Sequence, residues 1–236
     1  MTSRYSDVWR QLNENSEVSH AYETLMSSLE IAKVTRPLSS VMITSARPEE
    51  GKTTVTVTLG LTLMRAGKNV LILDADLRRP RVHRMLQAEN VCGFADVLTG
   101  SATVQDAIQV VRVGDERPGG AHTLSVITGG RIGGESVGGL LGSARVKEAI
   151  EYVTKLYDTV LVDAPPTLAV SDALLLGPMV DGVVLVVNTG TVAAKDARRA
   201  KDRLEESGAH IVGVAMNRFS EKQHGPGVHP YRSYYT

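Results

Sequence analysis

The sequence has few of the features that mark secreted or membrane-embedded proteins. A single cysteine, Cys92, occurs in 236 residues, which excludes an intramolecular disulfide and suits a reducing cytoplasm. No apolar run approaches the ~18 residues that a membrane-spanning helix needs. The polar N-terminal segment lacks the apolar stretch of a signal peptide. We therefore expect a cytoplasmic protein, and any association with a membrane must come through a partner.

The charge balance and the histidines also exclude some functions. Lys and Arg number 26, as do Asp and Glu, so the net charge gives no reason to expect a nucleic-acid partner. The six histidines show no metal-site spacing. With 42% hydrophobic residues and no internal repeat, the chain can bury a sizeable core.

Residues 41–54, VMITSARPEEGKTT, form the most informative stretch. A short β-branched strand pattern leads into a proline-containing loop, then into Gly-Lys-Thr-Thr and an amphipathic helical pattern. The spacing from Ala46 to Lys52 is that of a phosphate-binding P-loop, with Ala46 where the usual pattern has its first glycine. Strand, loop and helix in this order predict a nucleotide site.

Each residue type in this loop has a chemical reason. Gly51 lets the backbone curl so that successive N–H groups point at an anion. Lys52 adds a charge at the β- and γ-phosphates, Thr53 offers a hydroxyl to Mg²⁺, and the helix N-terminus favours negative charge. The loop residues that we predict to bind ATP are Ala46, Arg47, Glu50, Gly51, Lys52, Thr53 and Thr54.

Strand and helix patterns alternate along the chain. This alternation predicts a single α/β, P-loop NTPase-like domain, with a predominantly parallel sheet and helices on both faces. We expect an N-terminal helix and linker over 1–37 (the helix over 7–33), the domain over 38–219, and a mobile tyrosine-rich tail over 220–236. Residues 81–112 are interpreted as short helical pieces.

Two apolar strand patterns end in aspartate. Asp74 and Asp76 alternate at one strand end, and Asp163 follows another. Because ligands lie at the C-terminal ends of parallel strands, we expect these carboxylates to converge near the triphosphate, where they suit Mg²⁺. Asp172 and Asp181 are interpreted as caps or turn formers.

Three segments together resemble the bacterial tyrosine kinase family, P-loop kinases that control capsule and exopolysaccharide synthesis. They are the P-loop, LILDADLRRP at 71–80, and VLVDAPP at 160–166. The middle segment resembles the family's Walker A′ motif, which most other P-loop ATPases lack. The resemblance extends over roughly residues 20–218.

The resemblance implies ATP- and Mg²⁺-dependent phosphorylation of tyrosine. It implies that Lys52 holds the phosphates and that Asp74 accepts the tyrosine proton. It also implies that Thr53, Asp76 and Asp163 coordinate Mg²⁺ and that Asn217 contacts the nucleotide base. Family members carry C-terminal tyrosines that neighbouring subunits phosphorylate; here the candidates are Tyr231, Tyr234 and Tyr235. A tail that docks by aromatic packing is the alternative.

The resemblance further implies a transmembrane activator of the polysaccharide chain-length-regulator type, and self-association for phosphorylation in trans. The family's ring-forming E-x-x-R-x-x-R element is altered here at His20, Glu23 and Met26, which puts the ring in doubt. Glu49 stands where the family loop often has glycine, and its side chain is tolerable there if it points to solvent.

Two basic features stay open. Arg47 is either a phosphate contact or a solvated arginine. The arginine run after the Walker A′ strand either meets an acidic partner or the phosphates, or forms a solvated helix face; it comprises Arg78, Arg79, Arg81 and Arg84.

Two rival functions also stay open. One is a nucleotide-switched ATPase of the partitioning or septum-positioning type, without tyrosine kinase activity. The other is a catalytically weak module that regulates the polysaccharide machinery.

Overall fold

The computed structural model describes residues 4–114 and 121–218. Among these residues, no helix combines the length and the apolar character needed to cross a bilayer. The elements in chain order are α1 (Arg4–Glu14), α2 (Ser16–Thr35), β1 (Ser40–Ser45), α3 (Lys52–Arg65), β2 (Val70–Asp74), α4 (Val82–Leu86), α5 (Phe94–Thr99), α6 (Val104–Ala107), β3 (Ile108–Gly114), β4 (Ala121–Ile127), α7 (Val137–Leu141), α8 (Ala144–Val153), β5 (Thr159–Asp163), α9 (Asp172–Leu176), a 3₁₀ turn (Gly177–Met179), β6 (Gly182–Asn188), α10 (Ala194–Glu206) and β7 (Ile211–Asn217).

The strands form one seven-stranded sheet in the order β3-β4-β2-β5-β1-β6-β7. Every pairing is parallel except that of β3 with β4. β1, β2 and β5 are buried along their whole length, as strands covered on both faces should be. The predicted α/β fold with a predominantly parallel sheet is confirmed.

The alternation of side chains along the central strands builds two cores. Val41 and Ile43 of β1 pack into the cluster that contains the apolar side of α3. Met42, between them, packs into the cluster on the opposite face, with α5 and α8. The register then fixes the site, because β2 and β5 are neighbours with Asp74 opposite Asp163. Both strands therefore end at the same edge of the sheet.

Two local predictions were wrong. The helical interpretation of residues 81–112 fails at its end, because Ile108–Gly114 is an antiparallel edge strand paired with β4. Its β-branched residues pair with a strand that follows later in the chain, and local periodicity does not report such pairing. The single N-terminal helix is also two helices, because the Asn15 side chain accepts hydrogen bonds from the N–H groups of Glu17 and Val18 and starts α2.

The two N-terminal helices pack onto the outer side of α3. Val8, Leu12 and Leu29 are buried in the same core as the apolar residues of α3. The Arg65 guanidinium lies 5.8 Å from the centre of the Trp9 ring and also donates to the Leu12 carbonyl, so α1 is held at the C-terminal end of α3.

Asp181 anchors the start of the central strand. One oxygen, Oδ2, accepts hydrogen bonds from the N–H groups of Ser39 and Ser40 at 2.9 and 2.8 Å, and from the Ser40 hydroxyl at 2.9 Å. The sequence favours a cap or turn former at Asp181, whereas these contacts join the N-terminal ends of β1 and β6.

Replacing Asp181 by alanine should lower the free energy of unfolding by about 2 kcal/mol, because three donors lose a charged acceptor. Asp202→Ala removes the same charge from an exposed position on α10 and should change stability by less than ~0.5 kcal/mol. Urea unfolding of both variants measures the difference. Equal stabilities would contradict the anchoring role.

Candidate nucleotide and phosphoryl-transfer site

The P-loop joins the end of β1 to the start of α3. Gly51 precedes the helix in a left-handed conformation, with φ of 94°, and a Cβ there would overlap the Asn217 side-chain amide. Asn217 Nδ2 donates to the Glu50 carbonyl at 2.8 Å. The first N–H groups of α3 have no partner within the helix, so the loop presents donors to an anion.

The buried Glu50 side chain holds the P-loop by hydrogen bonds. Its side chain accepts hydrogen bonds from the N–H groups of Arg47 and Asn188, the latter at 3.1 Å, and Glu50 is only 1% exposed. Burial raises the pKa of Glu50, and the backbone donors partly offset that effect. The sequence placed Glu50 among the ATP contacts, whereas in the structure its side chain is directed into the protein. Its neighbour Glu49 is exposed, in a left-handed conformation with φ of 66°.

Lys52 is buried among carboxylates. Its Nζ lies 2.7 Å from Asp76 Oδ2. Burial alone would lower the pKa of Lys52, but Asp163 and Asp76 outweigh it, so that the pKa is raised and the ammonium stays charged. This charge lies at the end of the P-loop, where β- and γ-phosphates bind in proteins with this motif.

Thr53 and Asp163 form a second contact. Thr53 Oγ1 donates to Asp163 Oδ2 at 2.7 Å, and Thr56 Oγ1 lies 3.4 Å from Asp163 Oδ1. Burial raises the pKa of Asp163, with Lys52 and the Thr53 hydroxyl acting against it. A hydroxyl and a carboxylate oxygen side by side are ligands that Mg²⁺ prefers.

A magnesium ion here would need further oxygens. Within the described ranges, no group of three or more His, Cys, Asp or Glu residues could hold a metal ion. Phosphate oxygens and waters would therefore complete the shell, which is the usual arrangement for Mg²⁺ beside a nucleotide. The donor set fits a nucleotide-bound magnesium.

Asp74 lies at the end of β2, fully buried. Its Oδ2 accepts hydrogen bonds from the N–H groups of Arg81 and Val82, both at 3.0 Å, and its Oδ1 accepts one from the Asp76 N–H at 3.3 Å. Burial raises the pKa of Asp74 well above its usual range, and the nearby charge of Asp163 raises it further. Asp74 is thus a stronger base than an exposed carboxylate.

The other candidate residues are placed as follows. Arg47 is exposed and its Nε lies 2.9 Å from Asp196 Oδ2 on α10. Ala46 is buried and Thr54 is exposed at the start of α3. The three tail tyrosines lie outside the described residues.

Sequence reasoning missed several partners of these residues. One is Thr56, whose hydroxyl lies near Asp163. It comes one helical turn after Lys52, and this spacing could have indicated that both side chains lie on the same face of α3. Asp172, interpreted as a cap or turn former, instead binds the Arg78 guanidinium, with Oδ2 at 2.6 Å from Nε and Oδ1 at 3.0 Å from Nη2. No sequence signal links Asp172 to Arg78 or Asp196 to Arg47, because each pair joins elements far apart in the chain.

Comparisons with known proteins agree on the fold. The family model "ParA: NUBPL iron-transfer P-loop NTPase" matches residues 38–228. Tyrosine-protein kinase YwqD of Bacillus subtilis strain 168 is 38% identical over 199 residues, which cover 84% of this chain and 80% of YwqD. Tyrosine-protein kinase etk of Escherichia coli K12 is 33% identical over 205 residues, or 87% of this chain and 27% of etk. The chain thus spans about a quarter of etk.

Two solved structures are similar. The kinase domain of the Escherichia coli tyrosine kinase ETK has a TM-score of 0.79 at 32% identity, covering 90% of this chain and 82% of that one. The septum site-determining protein MinD of Pyrococcus horikoshii OT3, complexed with Mg-ADP, has a TM-score of 0.63 at 26% identity, with coverage of 77% and 71%.

The hydrogen bonds of Glu50 predict that two adjacent glutamates differ in their effect on Mg-ADP affinity. Glu50→Ala should weaken Mg-ADP binding roughly tenfold, because the loop loses the buried acceptor that links the Arg47 N–H to the Asn188 N–H of β6. Glu49→Ala, at the exposed neighbour, should bind Mg-ADP like the wild type. Titration calorimetry measures both, and equal losses would show that the Glu50 side chain does not organise the loop.

The raised pKa of Asp74 predicts a pH-dependent gain in stability when its charge is removed. The folded chain holds the Asp74 proton more tightly than the unfolded chain, so stability falls as pH rises above the ordinary aspartate value of ~3.9 towards the folded value. Asp74→Asn, whose oxygen can still accept from Arg81 and Val82, should therefore stabilise the nucleotide-free chain at about pH 8 more than at about pH 4.

Urea unfolding of Asp74→Asn and wild type at the two pH values measures this gain, with Asp202→Asn as the exposed control. The same gain at both pH values, or a loss at the higher one, would contradict a raised pKa at Asp74.

Proposed function

The chain belongs to the bacterial tyrosine kinase family of P-loop proteins, and we propose that it transfers the γ-phosphoryl group of Mg-ATP to its own C-terminal tyrosines, Tyr231, Tyr234 and Tyr235. The family expected from the sequence is confirmed by the likeness to YwqD and to the ETK kinase domain. As a P-loop NTPase it is a nucleotide-binding protein. The observation that carries the proposal is the convergence of Lys52 with the carboxylates of Asp74, Asp76 and Asp163.

The residues at the P-loop have separate tasks in binding. Lys52 and the first amides of α3 hold the β- and γ-phosphates. Thr53 and Asp163, already in contact, hold Mg²⁺, and Asp76 holds it directly or through water; the ion supplies charge neutralisation at the phosphates. Asn217, beside Gly51, contacts the nucleotide base in this proposal.

The chemical step needs one base. The tyrosine oxygen bonds to the γ-phosphorus, the bond from that phosphorus to the bridging oxygen of ADP breaks, and the tyrosine proton passes to the Asp74 carboxylate. Phosphoryl transfer depends mainly on positioning and charge neutralisation, so a carboxylate is a sufficient base. The raised pKa of Asp74 strengthens it in that role.

We place this activity beside the membrane in polysaccharide polymerisation or export. The support is the family: in this proposal a transmembrane activator of the chain-length-regulator type recruits the chain to the inner face of the membrane. No nucleic acid takes part. Phosphorylation adds about −1.5 to −2 charges per tyrosine, which disfavours subunit packing and allows a cycle of assembly and dispersal.

In this proposal the chain self-associates through α2, whose sequence departs from the family's E-x-x-R-x-x-R element. His20 and Glu23 are exposed on α2, and Met26 is half-buried. None of the three residues is the one that the family element has at its position. Phosphorylation in trans would therefore use an altered contact between copies of this helix.

The nucleotide-switched ATPase is the second candidate. The likeness to MinD with Mg-ADP favours it. Arg47 also falls five residues before Lys52, where a related group of ATPases has a signature lysine. Such an ATPase should keep its activity when residues 229–236 are deleted, whereas the proposed kinase should lose its phosphate acceptors.

Intact mass after incubation with Mg-ATP tests the kinase. The wild type should gain one to three phosphates that map to Tyr231, Tyr234 or Tyr235, and Lys52→Met should gain none, since it lacks the charge at the phosphates. Continued ATP hydrolysis with no gain in mass, even with a candidate activator segment fused to the chain, would favour the switch ATPase.

A further inference from the structure

Beside the predicted catalytic carboxylates lies a pocket that the proposed transfer step does not use. It has a volume of about 350 Å³, at the small end of the ~300–1,000 Å³ usual for ligand sites. Its lining is basic and polar, and it consists of Arg78, Arg79, Pro80, Arg81, His83, Arg84 and Asn90. We call it the arginine pocket.

Three of its four arginines are available to a ligand. Arg78 is held by Asp172 in a two-point ion pair. Arg79, Arg81 and Arg84 are exposed, and none of them makes an ion pair with a carboxylate in the part of the chain that the structure describes. A concave surface with one sign of charge concentrates its field and attracts a compact anion. Arginine is well suited to phosphate, which it binds through two parallel N–H donors.

One wall of the pocket lies on the side of Asp74 away from the P-loop strand. The Asn90 side chain exchanges hydrogen bonds with Gly130, just beyond β4, at 2.9 and 3.0 Å. In the sheet β4 flanks β2 on one side, while β5 and then the P-loop strand β1 lie on the other. Asn90 therefore sets one wall of the arginine pocket on the β4 side of β2, whereas the P-loop that carries Lys52 follows β1 on the other side. This position favours a role with the acceptor over a contact with the phosphates of ATP.

We propose that the arginine pocket binds a phosphotyrosine of the tail, so that a tail phosphorylated at one tyrosine presents the next one to Asp74. This inference rests on the proposed kinase function. The segment 228–236, VHPYRSYYT, has no acidic side chain and includes Arg232, so without phosphate none of its side chains offers a negative charge to the three arginines. Each phosphate adds about −1.5 to −2 charges and reverses that sign.

Chain lengths allow the contact. β7, which ends at Asn217, lies four strand positions from β2, or roughly 19 Å. Tyr231 follows Asn217 by 14 residues, which span up to ~46 Å when extended. Tyr231 and Tyr234 are three residues apart, or ~10 Å in an extended chain. A phosphate on one of them can therefore reach an arginine side chain beside Asp74 while the other lies at Asp74.

A peptide-binding experiment tests the pocket without requiring catalysis. Fluorescently labelled 228–236 peptide, phosphorylated at Tyr235 or unphosphorylated, is titrated with the full chain loaded with Mg-ADP. The phosphopeptide should bind at least about tenfold more tightly. Arg79→Ala/Arg84→Ala should remove that preference, and the matched control Arg198→Ala/Arg199→Ala, two exposed arginines of α10, should keep it. Mg-ADP affinity, measured on each variant, reports an intact fold.

Several results would overturn the inference. Equal binding of the two peptides, or an unchanged preference in the pocket variant, removes the pocket's role. A peptide with glutamate in place of phosphotyrosine that binds as tightly would identify a general acidic docking surface instead. Inorganic phosphate that competes at the concentration of the phosphopeptide would identify a free-phosphate site.

Time-resolved intact mass adds a kinetic test. In the Arg79→Ala/Arg84→Ala variant the first phosphate should be added at the wild-type rate and later ones about tenfold more slowly, so that singly phosphorylated chains accumulate. Wild-type rates for every phosphate would contradict the inference. A chain that never gains a phosphate, even with a candidate activator segment fused to it, but binds the phosphopeptide through the pocket would refute the kinase and leave phosphotyrosine binding by the pocket in place.

Discussion

The burial of one lysine among three carboxylates is the constraint on which this structure depends. Lys52 has a raised pKa because Asp163 and Asp76 outweigh the effect of burial. For the carboxylates the effect of burial prevails: it raises the pKa of both Asp74 and Asp163 and so disfavours their charged forms. Such a cluster contributes little to stability by itself, since desolvation offsets the attraction between its charges. We attribute its arrangement to the phosphates and the cation of the proposed function.

The fold supplies the positions that this cluster needs. Parallel pairing of β2 with β5 sets Asp74 opposite Asp163, and the neighbouring β1 delivers the P-loop to the same edge. Glu50 below the loop and Asn217 beside it keep the loop amides in place. In our proposal the phosphoryl donor meets the carboxylates from the P-loop, and the tyrosine acceptor meets them from the side of the arginine pocket.

The sequence was sufficient where a signal is local. Strand, loop and helix around Lys52, and aspartates directly after apolar strands, predicted both the fold and the carboxylate cluster. The antiparallel strand β3 was not predicted, because it forms by pairing with β4, and local periodicity does not report such pairing. The hydrogen bonds of Glu50 and the ion pair of Arg78 with Asp172 were not predicted either, because each depends on a tertiary contact. Only the fold brings their partners together.

The most direct test of Asp74 as the base is single-turnover phosphorylation of the tail at saturating Mg-ATP. We expect Asp74→Asn to bind Mg-ATP with wild-type affinity and to transfer phosphate about 10²- to 10⁴-fold more slowly, since only the proton acceptor is lost. Transfer within a few-fold of the wild-type rate would contradict this role. So would a loss of Mg-ATP affinity that by itself accounts for the slower reaction.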